Sequence, residues 1–381
     1  MRLLLAGLLT VFAAVSAIAQ ELPQSVTDAY QGYVDAAEER DLETALGFAY
    51  AAWQEGEAAG IDDATLSILA SNYAQVAGLL DRHADAIDAY RRAISLHISA
   101  GNPESDIADF RTEIARALLR DNDLRDAIRQ ADENIEYFDG LPAGSDRELG
   151  LYFNRVVAAL ASHQLHRRRD ALTYAEPAIA YVEQNDGVQN QDIAYLAFVL
   201  ARSSYDLNRF EDAAYYGALA HVIGRNVMPD AELVDSATSI VNAAGIRGLE
   251  LGQLDELQTR VLSSNFRPHE CPRSDVECTE HEIAVREQHG DYIPSVPMFR
   301  IPPEYPRRAA HRSREGYVDV VFSVNEAGRT VDVEVLHSTD RMFNDSAIAS
   351  VEEWRYWPAL VNGEPWFNRG VQTRIEYQMA N

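Results

Sequence analysis

Lysine is absent: all 33 basic residues are arginine. This removes a Schiff-base lysine, the lysine of a phosphate loop and any polybasic lysine patch. Cysteine is almost absent, with only Cys271 and Cys278, and no Cys-x-x-Cys-His haem-attachment motif exists. Catalytic signatures are missing too. There is no Gly-x-Ser-x-Gly, His281-Glu282 is followed by Ile283-Ala284-Val285 rather than by a zinc-protease pattern, and Gly245, Gly248 and Gly252 are wrongly spaced for a dinucleotide fingerprint. The chain therefore reads as a non-enzyme with no cofactor and no metal. Long apolar runs are lacking except at the start, where Arg2 precedes Leu3 to Ala19 and Ala17-Ile18-Ala19 offers small residues to a signal peptidase. That run falls short of the roughly 20 residues a spanning helix needs. Residues 1–19 are thus expected to be a secretory signal peptide, with the mature chain starting at Gln20. An uncleaved membrane anchor is the rival reading. No cysteine lies near the cleavage site, which argues against lipid attachment.

What is abundant is acid. Sixty Asp and Glu give a formal charge of −27, which disfavours sequence-independent binding to nucleic acid or anionic membrane. The charge is unevenly spread: residues 20–290 hold 47 acids against 22 arginines, and residues 291–381 hold 13 against 10. The acidic region is Ala-rich with helical spacing, and the near-neutral region is rich in Val and aromatics with alternation. A boundary is expected in the Pro-containing stretch between them.

Residues 20–265 carry an internal repeat. Ala45, Ala86, Ala127, Ala171 and Ala213 form one column; Ala49, Tyr90, Ala131, Ala175 and Gly217 stand four residues later; Ala52, Ala93, Asn134, Ala178 and Ala220 stand seven later. These spacings put three small-residue columns on one helix face, where a neighbouring helix can approach closely. The pattern resembles the second helix of tetratricopeptide repeats, over about residues 28–225, with a decayed sixth unit from Glu232 to Leu262. The period here is longer than the 34 residues or so of that family. The resemblance implies a stacked α-solenoid with a concave groove. An acidic groove without lysine clamps favours a basic or neutral protein or peptide, and capture should weaken as salt rises. Arg167-Arg168-Arg169 is expected in an inter-helix turn.

A connector, residues 266–297, holds Cys271 and Cys278 with His269, His281 and His289 nearby. In a secreted chain two cysteines this close are expected to form a local disulfide; a Cys/His metal site and free thiols are the alternatives.

Residues 298–381 change to period two. Val318, Val320, Phe322 and Val324 alternate with polar or smaller positions, and after a Glu326-Ala327-Gly328 turn Val331, Val333 and Val335 do the same, predicting a hairpin. Phe343, Ala347, Val351 and Trp354 form one stripe of a helix that must stop before Pro358. A last strand sets Val371, Thr373, Ile375, Tyr377 and Met379 inward against Gln372, Arg374, Glu376 and Gln378. The helix carries the chain back, so the last strand can pair antiparallel only with the first and lies at an edge. The expected fold is an α-solenoid followed by a small ββαβ module, a three-stranded antiparallel sheet with one packed helix.

The module resembles the carboxyl-terminal domain of the TonB family. The residues that carry this are Pro303-Glu304-Tyr305-Pro306, Ala309, Gly316-Tyr317-Val318, Gly328, Ser338, Trp354-Arg355-Tyr356, Pro358 and Gly363-Glu364-Pro365. These are structural positions rather than chemical ones. The resemblance implies a periplasmic protein that binds partners, TonB-dependent outer-membrane receptors among them, by β-strand addition, here at the edge Val371-Gln372-Thr373-Arg374-Ile375-Glu376-Tyr377. It links the chain to transport across the outer membrane. Three readings follow: a periplasmic adaptor, an energy transducer with an uncleaved leader, and an envelope structural protein that forms a homodimer through this module.

Overall fold

The computed structural model describes residues 22–185, 190–227, 232–249, 251–264, 266 and 292–379. The leader and the cysteine and histidine residues of the connector lie outside them. The chain divides into two compact units, Met1–Leu165 and His166–Asn381.

The first unit contains α1 (Gln24–Glu38), α2 (Leu42–Ala59), α3 (Asp63–Leu79), α4 (His83–Ser99), α5 (Glu104–Arg120), α6 (Leu124–Asp139) and α7 (Ser145–Gln164). The second opens with α8 (Arg168–Gln184), α9 (Gln191–Asp206), α10 (Phe210–Val227), α11 (Glu232–Gly248) and α12 (Leu251–Leu262). The repeat is written in the backbone as well as in the columns. Arg40, Asp81, Asn122, His166 and Asn208 all take positive φ, each five residues before a column alanine. At four of them the following N–H, from Asp41, Arg82, Asp123 or Arg209, returns 2.9 Å to a carbonyl five residues back. This is the left-handed helix stop that glycine usually supplies; here none of the five is glycine.

All five first-column alanines are fully buried, as are Ala131, Ala175, Ala93, Ala178 and Ala220. Gly217 takes the place of an alanine because a Cβ there would come 2.6 Å from Val241 Cγ2 on α11. Asn134 is the polar exception. Its Nδ2 donates to Ala108 O and Thr112 Oγ1, both at 3.0 Å, and Asn154 Nδ2 donates to the same hydroxyl at 2.9 Å. The buried amide nitrogens thereby find partners, as burial requires, while Asn134 Oδ1 accepts no hydrogen bond. The Arg167-Arg168-Arg169 run is not wholly a turn: α8 begins at Arg168, and Arg167 and Arg168 are held by Asp170 and Asp206, each at 2.6 Å.

Packing and the acidity of the repeats together bear on Asp109 of α5. Desolvation first, then the neighbouring Asp106, Glu113 and Asp146, push the Asp109 carboxyl up to about 6. Its unfolded value is near 4, so the folded state binds a proton more readily. The ionised group opposes folding at neutral pH, and that penalty disappears as pH falls from about 6 through 4. Asp109 is exposed at the surface, so solvent screens part of this penalty. Asp109→Asn should raise the melting midpoint by no more than about 1 °C at pH 7.5 and leave it unchanged at pH 4; an equal shift at both would contradict this.

The second unit ends in the module. Its elements are β1 (Tyr292–Ile293), β2 (Val296–Phe299), α13 (Arg307–Ala310), β3 (Gly316–Val324), β4 (Thr330–Ser338), a 3-10 turn (Arg341–Phe343), α14 (Asn344–Glu352), β5 (Arg355–Trp357), β6 (Ala359–Val361), β7 (Glu364–Trp366) and β8 (Asn368–Tyr377). The main sheet runs β4-β3-β8, with both pairings antiparallel. This is the helical-repeat and small antiparallel architecture expected from the pattern. Val318, Val320, Phe322 and Val324 of β3 are all buried against Phe343, Ala347, Val351, Trp354 and Ile375.

Three details differ from the sequence reading. The helix stops at Glu352, because Arg355–Trp357 is taken into a pairing with β2; Trp354 still joins the core through its indole N–H, which donates 2.9 Å to Ile301 O. Two further small sheets, β1-β6-β7 and β2-β5, are present. Met379 is not inward: β8 ends at Tyr377, and Met379 lies beyond it, 41% exposed.

Candidate partner-binding edge

The edge strand owes its geometry to one glycine. Val324 faces Asn368 and Phe322 faces Val371, so β8 has one residue more than β3 between these pairs. Gly370, at φ +73°, absorbs it. This is a bulge with glycine in the left-handed position. After it the register is regular, from Phe322 opposite Val371 to Gly316 opposite Tyr377. Among the described residues no strand pairs with the other side of β8.

The seven residues of the expected edge thus stand in one unbroken stretch. Ile375 and Tyr377 are buried, Val371 and Thr373 half-buried, and Gln372, Arg374 and Glu376 exposed. Arg374 is held flat on the outer face. Its Nε and Nη2 reach Asp319 Oδ1 and Oδ2 at 2.7 and 2.9 Å, and its guanidinium lies 3.8 Å over the Tyr317 ring. Hydrogen bonding from Arg374 holds the Asp319 carboxyl below its ordinary range. Tyr377 ties down the far end of the strand. Its ring stacks on Phe343 at 4.3 Å, and its hydroxyl donates to Phe343 O at 3.3 Å.

The other motif residues sit around this sheet in supporting positions. Tyr305 packs edge-on against Phe343 and Tyr377, and its hydroxyl donates to Arg314 O. Pro303 and Pro306 flank it, half-buried, and Pro306 precedes α13. Gly316 lies where a Cβ would run into the Thr339 hydroxyl. Pro358, buried, separates β5 from β6. Asn362 and Gly363 both take positive φ and close the two-residue turn between β6 and β7, the geometry that suits the right-handed strand twist.

Gly328 does more than turn. At φ +73° in the β3–β4 hairpin, its carbonyl accepts from Tyr356 N at 2.8 Å. A Cβ there would meet Tyr356 O and Gln258 Nε2. Gln258 belongs to α12 and is 4% exposed; its Nε2 donates to Ala327 O at 2.8 Å and Tyr356 O at 3.0 Å. Beside it Asp255 accepts from Arg355 Nε at 2.8 Å and from Arg329 Nη2 at 3.0 Å. Asn242 of α11 accepts from Arg300 N at 3.1 Å. The last repeat helices therefore grip the hairpin end of the module, leaving β8 on the far side of β3 from β4. Sequence reasoning did not find Asp255, Gln258 or Arg329, whose partners are some 70 to 100 residues away along the chain.

Among the described residues no group of three or more His, Cys, Asp and Glu could hold a metal ion. Among them too, no helix is long and apolar enough to cross a membrane.

These features define a helical-repeat protein that ends in a small α+β module with an open sheet edge. The module is of the TonB carboxyl-terminal type: residues 301–379 match the family described as Gram-negative bacterial TonB protein C-terminal. The protein TonB of Pseudomonas aeruginosa is 38% identical over 69 residues, which are 18% of this chain. The chain spans 20% of the length of that curated relative. Among solved structures, BtubC (BKLC) from P. vanneervenii is similar over 67% of this chain and 96% of its own, with 14% identity and a TM-score of 0.39. Rap protein complexed with competence and sporulation factor is similar over 65% and 71%, with 12% identity and a TM-score of 0.39.

Proposed function

We propose that the chain is a non-enzymatic periplasmic adaptor in TonB-related transport across the outer membrane. In this reading residues 1–19 are removed on export, the repeats of residues 20–265 engage a basic or neutral protein, and the module of residues 298–381 adds a partner strand to β8. The observation that carries it is the regular, unpaired outer side of Val371–Tyr377 in a domain of TonB type. Such an edge offers main-chain donors and acceptors, while alternate side chains select the partner.

Proline scanning tests the reading. In an antiparallel strand successive N–H groups point to opposite sides, so of Thr373→Pro and Arg374→Pro one breaks pairing to β3 and the other removes an edge donor. The edge-directed variant should keep the wild-type melting midpoint and lose at least about tenfold of the cross-linking, in cells, from a photoreactive residue at Gln372. Arg374→Ala should retain it. Undiminished cross-linking in both proline variants would exclude strand addition at β8. Cross-links only to a second copy would favour the dimerising structural protein. Amino-terminal sequencing of the mature chain separates adaptor from transducer: a start at Gln20 excludes an uncleaved anchor.

A further inference from the structure

The repeat array supplies its own comparison. Five residues past the column alanine stand Tyr50, Arg91, Asp132, Glu176 and Ala218. Where the later units place charge or a methyl group, the first places a tyrosine that is 49% exposed. Thirteen residues before the column, Tyr73 likewise replaces Gly32, Ile114, Ala158 and Leu200 of the other units. The two departures meet: the Tyr50 and Tyr73 rings are 5.4 Å apart, and Trp53 lies 6.4 Å from the first and 5.8 Å from the second. This makes a continuous aromatic face across α2 and α3, in which Tyr50 is exposed and Trp53 and Tyr73 are half-buried against the repeat core.

Some aromatic rings elsewhere in this chain are capped by its own arginines. Arg116 lies 5.4 Å over Phe153, Arg260 lies 3.6 Å over Tyr215, and Arg374 caps Tyr317. Among the described residues no guanidinium caps Tyr50, Trp53 or Tyr73. Arg82, near the Tyr73 hydroxyl, is bound to Asp85 at 2.7 Å. Helix α2 itself carries Glu43, Glu55 and Glu57 and no base, Glu57 being paired with Arg92 of α4 at 3.0 Å, and residues 22–165 hold 26 acids against 11 arginines. A partly exposed π-face in a negative field attracts a cation twice over, through the ring quadrupole and through long-range charge.

We propose that Tyr50, Trp53 and Tyr73 form a recognition face for the guanidinium or ammonium side chain of a basic peptide segment on a partner protein. The proposal rests on the reading of the repeats as a holder of basic partners and gives that reading a location. Helix α2 supplies the field and the rings supply the contact.

The test is titration of the full-length mature chain with a fluorescent hexa-arginine peptide. Tyr50→Ala should weaken binding at least about fivefold, within the range of one partly desolvated cation–π contact. Tyr50→Phe should bind as wild type, because the ring and not the hydroxyl makes the contact. Tyr195→Ala, which removes another exposed tyrosine on α9, should also bind as wild type and controls for general surface effects. Tyr50 is exposed, so a lost fold is not expected, and unchanged helical circular dichroism verifies this. Equal affinity of Tyr50→Ala and wild type would overturn the aromatic face while leaving a charge-driven repeat partner standing. No binding by the wild type would overturn both. Neither result would touch the β8 cross-linking.

Discussion

Gly328→Val should destabilise the full-length chain by about 2–5 kcal/mol and release the module's tertiary signal before the helical signal of the first unit. Two terms add. A β-branched residue held at positive φ costs about 1–2 kcal/mol. Overpacking a filled site costs about 1–3 kcal/mol more. The second term arises because the new side chain would be driven into Tyr356 O and Gln258 Nε2. Gly363 provides the matched control. It also sits at positive φ, +83°, but nothing lies within 4 Å of where its Cβ would be. Gly363→Ala should therefore cost only the backbone term, about 1 kcal/mol, and Gly328→Ala distinctly more. Urea unfolding read by near-ultraviolet circular dichroism of the module's buried Trp354 and Trp357 measures both. Equal costs at the two glycines would mean that the hairpin turn does not need its close approach to α12.

The contrast between these glycines marks how far the sequence could be read. Gly328 and Gly363 both look like turn residues, and both are. Alternation at Val318–Val324 identifies β3, and the direction of the returning helix places the last strand beside it, so the edge follows from period and chain direction alone. The repeat columns are equally legible, because Ala at spacings of four and seven has few uses other than helix contact. The short strands β1, β2, β5, β6 and β7 are not legible. Runs of two to four residues carry no period, and the helical stripe through Trp354 masks Arg355–Trp357. Nor is the bulge at Gly370, which appears only when strand register is counted. The aromatic face of α2 and α3 was hidden for a different reason: Tyr50 and Tyr73 stand out only against the other repeat units, once their registers are aligned. The grip of α12 on the module is a matter of tertiary pairing at long range, which periodicity does not encode.

That grip makes the second large prediction. Asp255→Ala should cost about 1–3 kcal/mol, well above an exposed ion pair. Arg355 is the reason. Its side chain is 9% exposed. Besides Asp255 it is held through Nη1 by Glu353 O and Trp354 O, both at 3.0 Å. Arg329 forms an isolated antiparallel bridge with it and shares the same carboxylate. Removing Asp255 leaves two guanidinium groups together, one of them buried, with no anion between them. Arg329 is 52% exposed and Asp255 36%, so solvent screens part of the loss and the upper figures for wholly buried pairs do not apply. A double-mutant cycle isolates the term: in an Arg355→Met background, Asp255→Ala should cost less than about 1 kcal/mol, because the buried charge is already gone. Amide exchange gives an independent reading. The Tyr356 N–H, bonded to Gly328 O, should lose protection in Asp255→Ala, while the β3–β8 ladder keeps it. A cost within about 0.5 kcal/mol of zero, or loss of protection in the ladder itself, would contradict the arrangement. With the hairpin end held by α12 and the β8 edge left open, a strand added at β8 would act on a module fixed to the last repeat helices.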